Sequence, residues 1–178
     1  MHRITRTFGS ILMAMTIAGA ANGQDLENTL YMDLEAGRVV IELRPDLAPK
    51  HVARVKELTR EGFYDGIIFH RVIPGFMAQS GDPTGTGRGG SDKPDLPAEF
   101  SDEPFVRGTL GMARTSDPNS ANSQFFINFA ATPHLNGQYT VWGQVVEGMD
   151  HIDQIAQGEP PADPDRIVEM RVAADAEQ

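Results

Sequence analysis

Apolar and polar positions alternate in two short runs near the start of the chain. Leu30, Met32 and Leu34 form the first, and Val39, Ile41 and Leu43 the second, with Glu35-Ala36-Gly37 between them. A period of two gives a strand one apolar face, so the pair predicts a β-hairpin. The period then changes. Val52, Val55 and Leu58 recur at helical spacing behind Pro49, which suits a first helical turn, and Gly62 supplies a stop, so a helix is predicted over 48–61. Short apolar runs at 67–73, 76–80, 110–114, 124–129 and 141–146 read as further strands. A second helix is predicted over 149–157, with Met149, Ile152 and Ile155 on one face and Gly158 at its end. Beyond a proline-rich turn at 160–164, Ile167, Glu169 and Arg171 alternate against Val168, Met170 and Val172 in a last strand. Many short strands with two helices predict a mainly β protein. The expected architecture is a closed antiparallel barrel plugged at its ends, because closure removes sheet edges. The polar, Gly- and Pro-rich segment 83–105 is long for a connection and is expected to border a site.

Composition narrows the function. The 178 residues include 40% hydrophobic and 22% charged side chains, enough for one core and one domain. A formal charge of -10 repels phosphate backbones and argues against nucleic-acid partners. The chain has no cysteine, which excludes disulfides, thiolate metal sites, a cysteine nucleophile and a cysteine-linked lipid anchor. At the N-terminus, His2, Arg3 and Arg6 precede an apolar stretch at 8–18 and then small residues through Gly23. Basic, apolar and small blocks in that order read as a secretory signal peptide over 1–23. The apolar run is too short for a permanent membrane span, and Arg3 and Arg6 are not adjacent, which disfavours the twin-arginine route. Cleavage after Gly23, with Ala20 as the competing position, leaves a domain at 24–178. Its charge becomes -10 - 2 = -12, since the segment removes two arginines and no acids. The expected location is the periplasm or the medium, with no stable membrane anchor.

Several signals of chemistry are weak. Gly85-Thr86-Gly87-Arg88-Gly89-Gly90 matches a dinucleotide fingerprint, but Pro94 and Pro97 follow, so no helix starts there and a flexible rim loop is the better reading. His2, His51, His70, His134 and His151 lack the spacing of zinc ligands. His70 is expected to face away from its neighbour Arg71 as a hydrogen-bonded structural histidine. Ser123 lacks the glycine-flanked elbow of a hydrolase nucleophile. The block Phe69-His70-Arg71-Val72-Ile73-Pro74-Gly75-Phe76-Met77-Ala78-Gln79-Ser80-Gly81-Asp82 is more informative. Two strands joined through Pro74-Gly75 would turn Phe69 and Arg71, then Met77 and Gln79, to common faces, setting a guanidinium among apolar side chains.

That block, with Gly108-Thr109-Leu110-Gly111-Met112-Ala113-Arg114 and Ser123-Gln124-Phe125-Phe126-Ile127, resembles the cyclophilins, and the resemblance extends over 29–174. It implies a closed eight-stranded antiparallel barrel capped by two α-helices. It also implies a peptidyl-prolyl cis/trans isomerase that needs no cofactor or metal and acts on proline-containing, unfolded or partly folded polypeptides. By position, Arg71 matches the catalytic arginine, Phe76, Met77, Phe126 and Leu135 the residues that cup proline, and Gln79, Ala113 and Gln124 other lining positions. Three residues depart from the common eukaryotic pattern. His134 replaces a tryptophan, Tyr139 a histidine and Arg114 an asparagine, whose contact with substrate runs through its backbone. The missing indole implies weak cyclosporin binding. Together with the signal, the resemblance implies a monomer that assists folding of exported proteins. A module that holds proline segments without turning them over is the alternative. Mass spectrometry of the native protein is expected to find a chain starting at Gln24 or Ala21; an intact Met1 would refute export.

Overall fold

The computed structural model describes residues 25–176; the segment read as a signal peptide lies outside them. Strands β1 (Thr29–Leu34) and β2 (Gly37–Leu43) form the expected hairpin. Its register sets Leu30 opposite Ile41 and Met32 opposite Val39, so both apolar sets meet on the inner face and none of the four is exposed. The sheet grows from both sides of this pair. β8 (Glu169–Val172) joins β1, matching Met170 to Met32 and Val172 to Leu30. β7 (Val141–Glu147) joins β2. Beyond it come β5 (Thr109–Met112), β6 (Phe125–Asn128), β4 (Met77–Ser80) and β3 (Arg71–Ile73). Every pairing is antiparallel, in the order β3-β4-β6-β5-β7-β2-β1-β8. The curled sheet wraps a core in which the buried Phe125 ring meets Trp142 and Tyr64 edge to face. Helix α1 (Pro49–Arg60) turns Val52, Val55 and Leu58 onto that core, as their spacing requires.

Two architectural expectations need correction. The barrel is not closed by a continuous ladder; the sheet is open, with β3 and β8 as its ends. The strand expected over 67–73 is laddered only from Arg71, because the residues before it pair across the seam. Gly66 N donates to Ile167 O (2.7 Å), Ile167 N to Ile67 O (3.0 Å) and Phe69 N to Asp165 O (2.9 Å). Farther along, Val72 and Gly158 exchange both backbone bonds, at 2.8 and 3.0 Å. These irregular bonds occupy edge groups that would otherwise be free to pair with another chain. The second correction concerns the helices. Among the described residues only α1 is long; α2 stops after one turn (Met149–Ile152), and another single turn, α3 (Ala173–Ala176), follows β8. After α2 the backbone tightens, with Gln154 N bonding His151 O and Ile155 N bonding Ile152 O, so Ile152 and Ile155 are buried and Met149 half-buried without a continuous helix.

Two carboxylates help to pin the long segment at 83–105. Asp82 accepts from the Thr84 hydroxyl and from the N–H groups of Thr84, Gly87 and Gly89, at 2.6–3.1 Å. Burial pushes this carboxyl up, but those bonds outweigh it and hold it below the usual carboxylate range. Near the other end, Glu99 accepts from the backbone N–H groups of Lys50 (3.1 Å) and His51 (3.0 Å), and its Oε2 lies 2.6 Å from His51 Nδ1. Ala48 offers no side-chain cap to α1, so Glu99 satisfies the helix start from a distant loop. Burial pushes His51 below its ordinary 6.5 against the pull of Glu99. Burial also pushes Glu99 up, but the bonds from His51 and the two N–H groups hold it below its ordinary 4.5. At neutral pH a neutral imidazole therefore donates to an ionised carboxylate.

Both depressed values make the unfolded chain the better proton binder as pH falls. Their contribution is whole above 6.5, and it is lost first through His51 and then, below 4.5, through Glu99. Glu99→Gln is expected to lower unfolding free energy at neutral pH by about 1.5–3 kcal/mol. Calorimetry from pH 8 to acid should show that deficit narrowing below 4.5. A deficit independent of pH would refute the ionised contact.

Candidate functional site

Register across four strands builds the site. Val72 pairs with Ala78, Ala78 with Ile127 and Ile127 with Leu110, and this row faces the core, with none of the four more than 1% exposed. The next row must face the other way. It consists of Arg71 paired with Gln79, Gln79 with Phe126 and Phe126 with Gly111. Above it sits a second apolar cluster of Met77, Phe105, Phe126, Leu135 and Val141, with Phe76, Ala113 and Tyr139 packed around its margin.

Gly111 makes the cleft floor possible. A Cβ there would lie 2.4 Å from the Phe126 ring and 2.6 Å from Phe105, so only glycine leaves the two rings room to stack at 5.6 Å between centroids. Tyr139 meets the Phe126 ring edge to face at 5.6 Å. Leu135 comes from a short 3₁₀ turn, Pro133–Leu135. The result is a cleft of about 570 Å³ with aromatic and aliphatic walls on one side and Arg71, Gln79 and Arg114 on the other.

A hydrogen-bond chain orients the polar side. Gln124 Nε2 donates to the carbonyls of Gly87 (3.1 Å) and Gly89 (2.8 Å), which fixes its oxygen toward Gln79 Nε2 at 2.9 Å. Gln79 must then present its own oxygen to Arg71 Nη1, 3.4 Å away. On the opposite edge, Arg71 Nε donates to Glu159 Oε1 at 2.8 Å. Among the described residues Nη2 has no hydrogen-bond partner.

Nine of the eleven sequence-predicted residues line this cleft: Arg71, Phe76, Met77, Gln79, Ala113, Arg114, Phe126, Leu135 and Tyr139. Gln124 lines an adjoining groove that shares Gln79, Gly87, Ala113 and Arg114 with it. His134 lies outside the cleft lining, exposed on the rim with its ring 5.7 Å from Phe76. Two of the departures from the eukaryotic pattern pack on each other. The Arg114 guanidinium stacks 4.4 Å over Tyr139, and its Nε and Nη2 donate to Gln138 O.

Two expectations fail locally. Phe69 does not share a face with Arg71; it lies in the core, because it precedes the ladder and pairs with Asp165. His70 is not hydrogen-bonded: it is buried, lines the cleft, and neither ring nitrogen has a partner among the described residues. Burial drives it below its ordinary 6.5. The sequence reading also missed Glu159 and Pro160, which form the cleft wall beside Arg71. Nothing in their spacing signals a contact with a residue 88 positions away. Among the described residues, no group of three His, Asp or Glu side chains is placed to hold a metal ion.

An apolar cleft on a β-sheet, with the guanidiniums of Arg71 and Arg114 along its polar side, can seat a small apolar group beside a cation. The family model for "Cyclophilin type peptidyl-prolyl cis-trans isomerase/CLD" matches residues 29–172. A Brucella suis protein named as a probable peptidyl-prolyl cis-trans isomerase is 53% identical over 93% of this chain and 92% of its own. Peptidyl-prolyl cis-trans isomerase-like 1 of Gibberella zeae is 38% identical over 86% of this chain and 99% of its own. The solved cyclophilin AquaCyp293 of Hirschia baltica superposes with a TM-score of 0.79 at 31% identity, covering 85% of this chain and 76% of that one. A Cryptosporidium parvum cyclophilin type isomerase, solved in the presence of the dipeptide Ala-Pro, gives 0.76 at 30% identity, covering 81% and 98%. The chain belongs to the cyclophilin-type peptidyl-prolyl cis-trans isomerases.

Gly111→Ala is expected to displace the Phe105 and Phe126 rings, lowering stability by about 1–3 kcal/mol and raising KM for an X-Pro peptide. An unchanged KM in the folded variant would show that this contact does not set the floor.

Proposed function

We propose that the cleft holds a proline ring against Phe126, Met77 and Leu135 while Arg71 drives rotation about the preceding peptide bond, and that the protein assists folding of exported polypeptides. The single observation behind the first part is the row Arg71, Gln79, Phe126, which sets a fixed cation beside the ring site. Resonance gives the peptide C–N bond a rotation barrier of about 18–20 kcal/mol. Twisting it breaks the resonance and returns a lone pair to a pyramidal proline nitrogen. A guanidinium N–H aimed at that lone pair binds the twisted form better than the planar one, which is the condition for catalysis. Accelerating the slow uncatalysed exchange to about 1000 per second needs roughly 6 kcal/mol. A charge-assisted hydrogen bond and an apolar clamp share that task, and no nucleophile or proton transfer is required.

The Ala-Pro dipeptide present with the Cryptosporidium parvum relative supports an X-Pro occupant. The reading as a holding module that never turns its ligand over leaves Arg71 without a task. Export rests on the basic, apolar and small blocks of residues 1–23. The working form is a monomer without a membrane anchor, and cyclosporin binds weakly because His134 stands on the rim where relatives offer an indole.

Arg71→Ala is expected to reduce kcat by two to three decades, about 3–4 kcal/mol by comparison with an oxyanion donor, with little change in peptide affinity. Arg71→Lys restores only part, since a point charge lacks the planar fork. Phe126→Ala should impair binding and turnover together. NMR exchange or a protease-coupled assay on a short X-Pro peptide measures all three; a folded Arg71→Ala enzyme at near-native turnover would refute the assignment.

A further inference from the structure

We infer that Glu159 is a positioning residue for the isomerisation: it holds the Arg71 guanidinium by its Nε edge so that Nη2 stays free at the cleft lip. The inference rests on the catalytic assignment of Arg71.

Arginine has a long, rotatable stem, and a guanidinium at a strand edge explores many rotamers unless both of its edges are held. Gln79 touches one edge weakly, at 3.4 Å from Nη1. Glu159 holds the other at 2.8 Å, the shorter and charge-assisted bond. With those two donors engaged, Nη2 is the group left without a protein partner among the described residues. Glu159 is not carried on a loose turn. Its neighbour Gly158 exchanges two backbone bonds with Val72, the residue after Arg71, and Pro161 beyond it is buried. The backbone contact that fixes the start of this segment thus also fixes the carboxylate relative to the arginine it holds.

A stability role is a poor explanation of the pair. Arg71 and Glu159 side chains are 43% and 56% exposed, and ion pairs so open to solvent contribute little to folding. Orientation is different, because small displacements of a reacting group lower rates steeply. The pair therefore acts on kcat through Arg71, and it is sensitive to screening.

Kinetics on a short X-Pro peptide test this. Glu159→Ala is expected to lower kcat about three- to tenfold with KM within about twofold of wild type. Glu159→Gln, whose amide oxygen still accepts from Nε, should recover most of that loss. The ratio of wild-type to Glu159→Ala kcat should shrink as NaCl rises from about 0.05 to about 1 M. In an Arg71→Ala background, Glu159→Ala should have no further effect. The inference is overturned by Glu159→Ala leaving kcat unchanged or raising it, by an effect on KM alone, or by an undiminished effect in the Arg71→Ala background. A wild-type enzyme that fails to accelerate exchange, or an Arg71→Ala enzyme at full turnover, would instead strike the reading of Arg71 itself. A normal Arg71→Ala loss beside an inert Glu159→Ala strikes only the role given to Glu159.

Discussion

The placement of β4 between β3 and β6 is the constraint on which the site depends. Side chains on neighbouring strands alternate together, so a single choice of register decides at once which residues fill the core and which form the cleft. In the observed register Ala78 sits between Val72 and Ile127, and Gln79 between Arg71 and Phe126. A slip of one residue at β4 would carry Gln79 into an apolar interior and turn Ala78 outward. Burial of Val72, Ala78, Ile127 and Leu110 is therefore what aligns the polar row on the opposite face. The apolar core thereby enforces the geometry of groups it never touches.

The cleft has a core of its own. Met77, Phe105, Phe126, Leu135 and Val141 form a cluster separate from the main one, on the other side of the sheet. A ring surface that would otherwise face water is held open by stacked neighbours and by the absence of a side chain at Gly111. Shape comes from packing, while direction comes from hydrogen bonds passed from the Gly87 and Gly89 carbonyls through Gln124 and Gln79. The loop that resembles a phosphate-binding motif thus commits its Gly87 and Gly89 N–H groups to Asp82 and turns its carbonyls to Gln124.

Much of this was legible in the sequence, and unevenly so. The hairpin and α1 announce themselves because their periods are clean and their turns carry glycine and proline. The block from Phe69 to Asp82 located the cleft through its resemblance to a family. Strand ends were not legible: Phe69 to Val72 look continuous, yet Phe69 pairs across the seam with Asp165 and only the residues from Arg71 onward join the ladder. The extent of the second helix is not legible because the helical spacing of Ile152 and Ile155 is satisfied equally well by a series of tight turns. The setting of His70 is not legible because alternation fixes a side chain's face only within a regular strand, and the ladder begins at Arg71. Glu159 was invisible because a contact made across the seam leaves no periodic trace.

That seam divides labour in a way that bears on how such a site can change. The strand carrying Arg71 is the last of the ladder, three residues long, and its outer neighbour is the single residue Gly158. The apolar floor of the cleft is assembled from β4, β6, β7, Phe105 and the turn at Leu135, and none of these belongs to the segment after Gly158. That segment instead supplies Glu159 and Pro160 to the cleft wall beside Arg71. The cleft floor and the wall beside the arginine are therefore encoded in separate stretches of the chain.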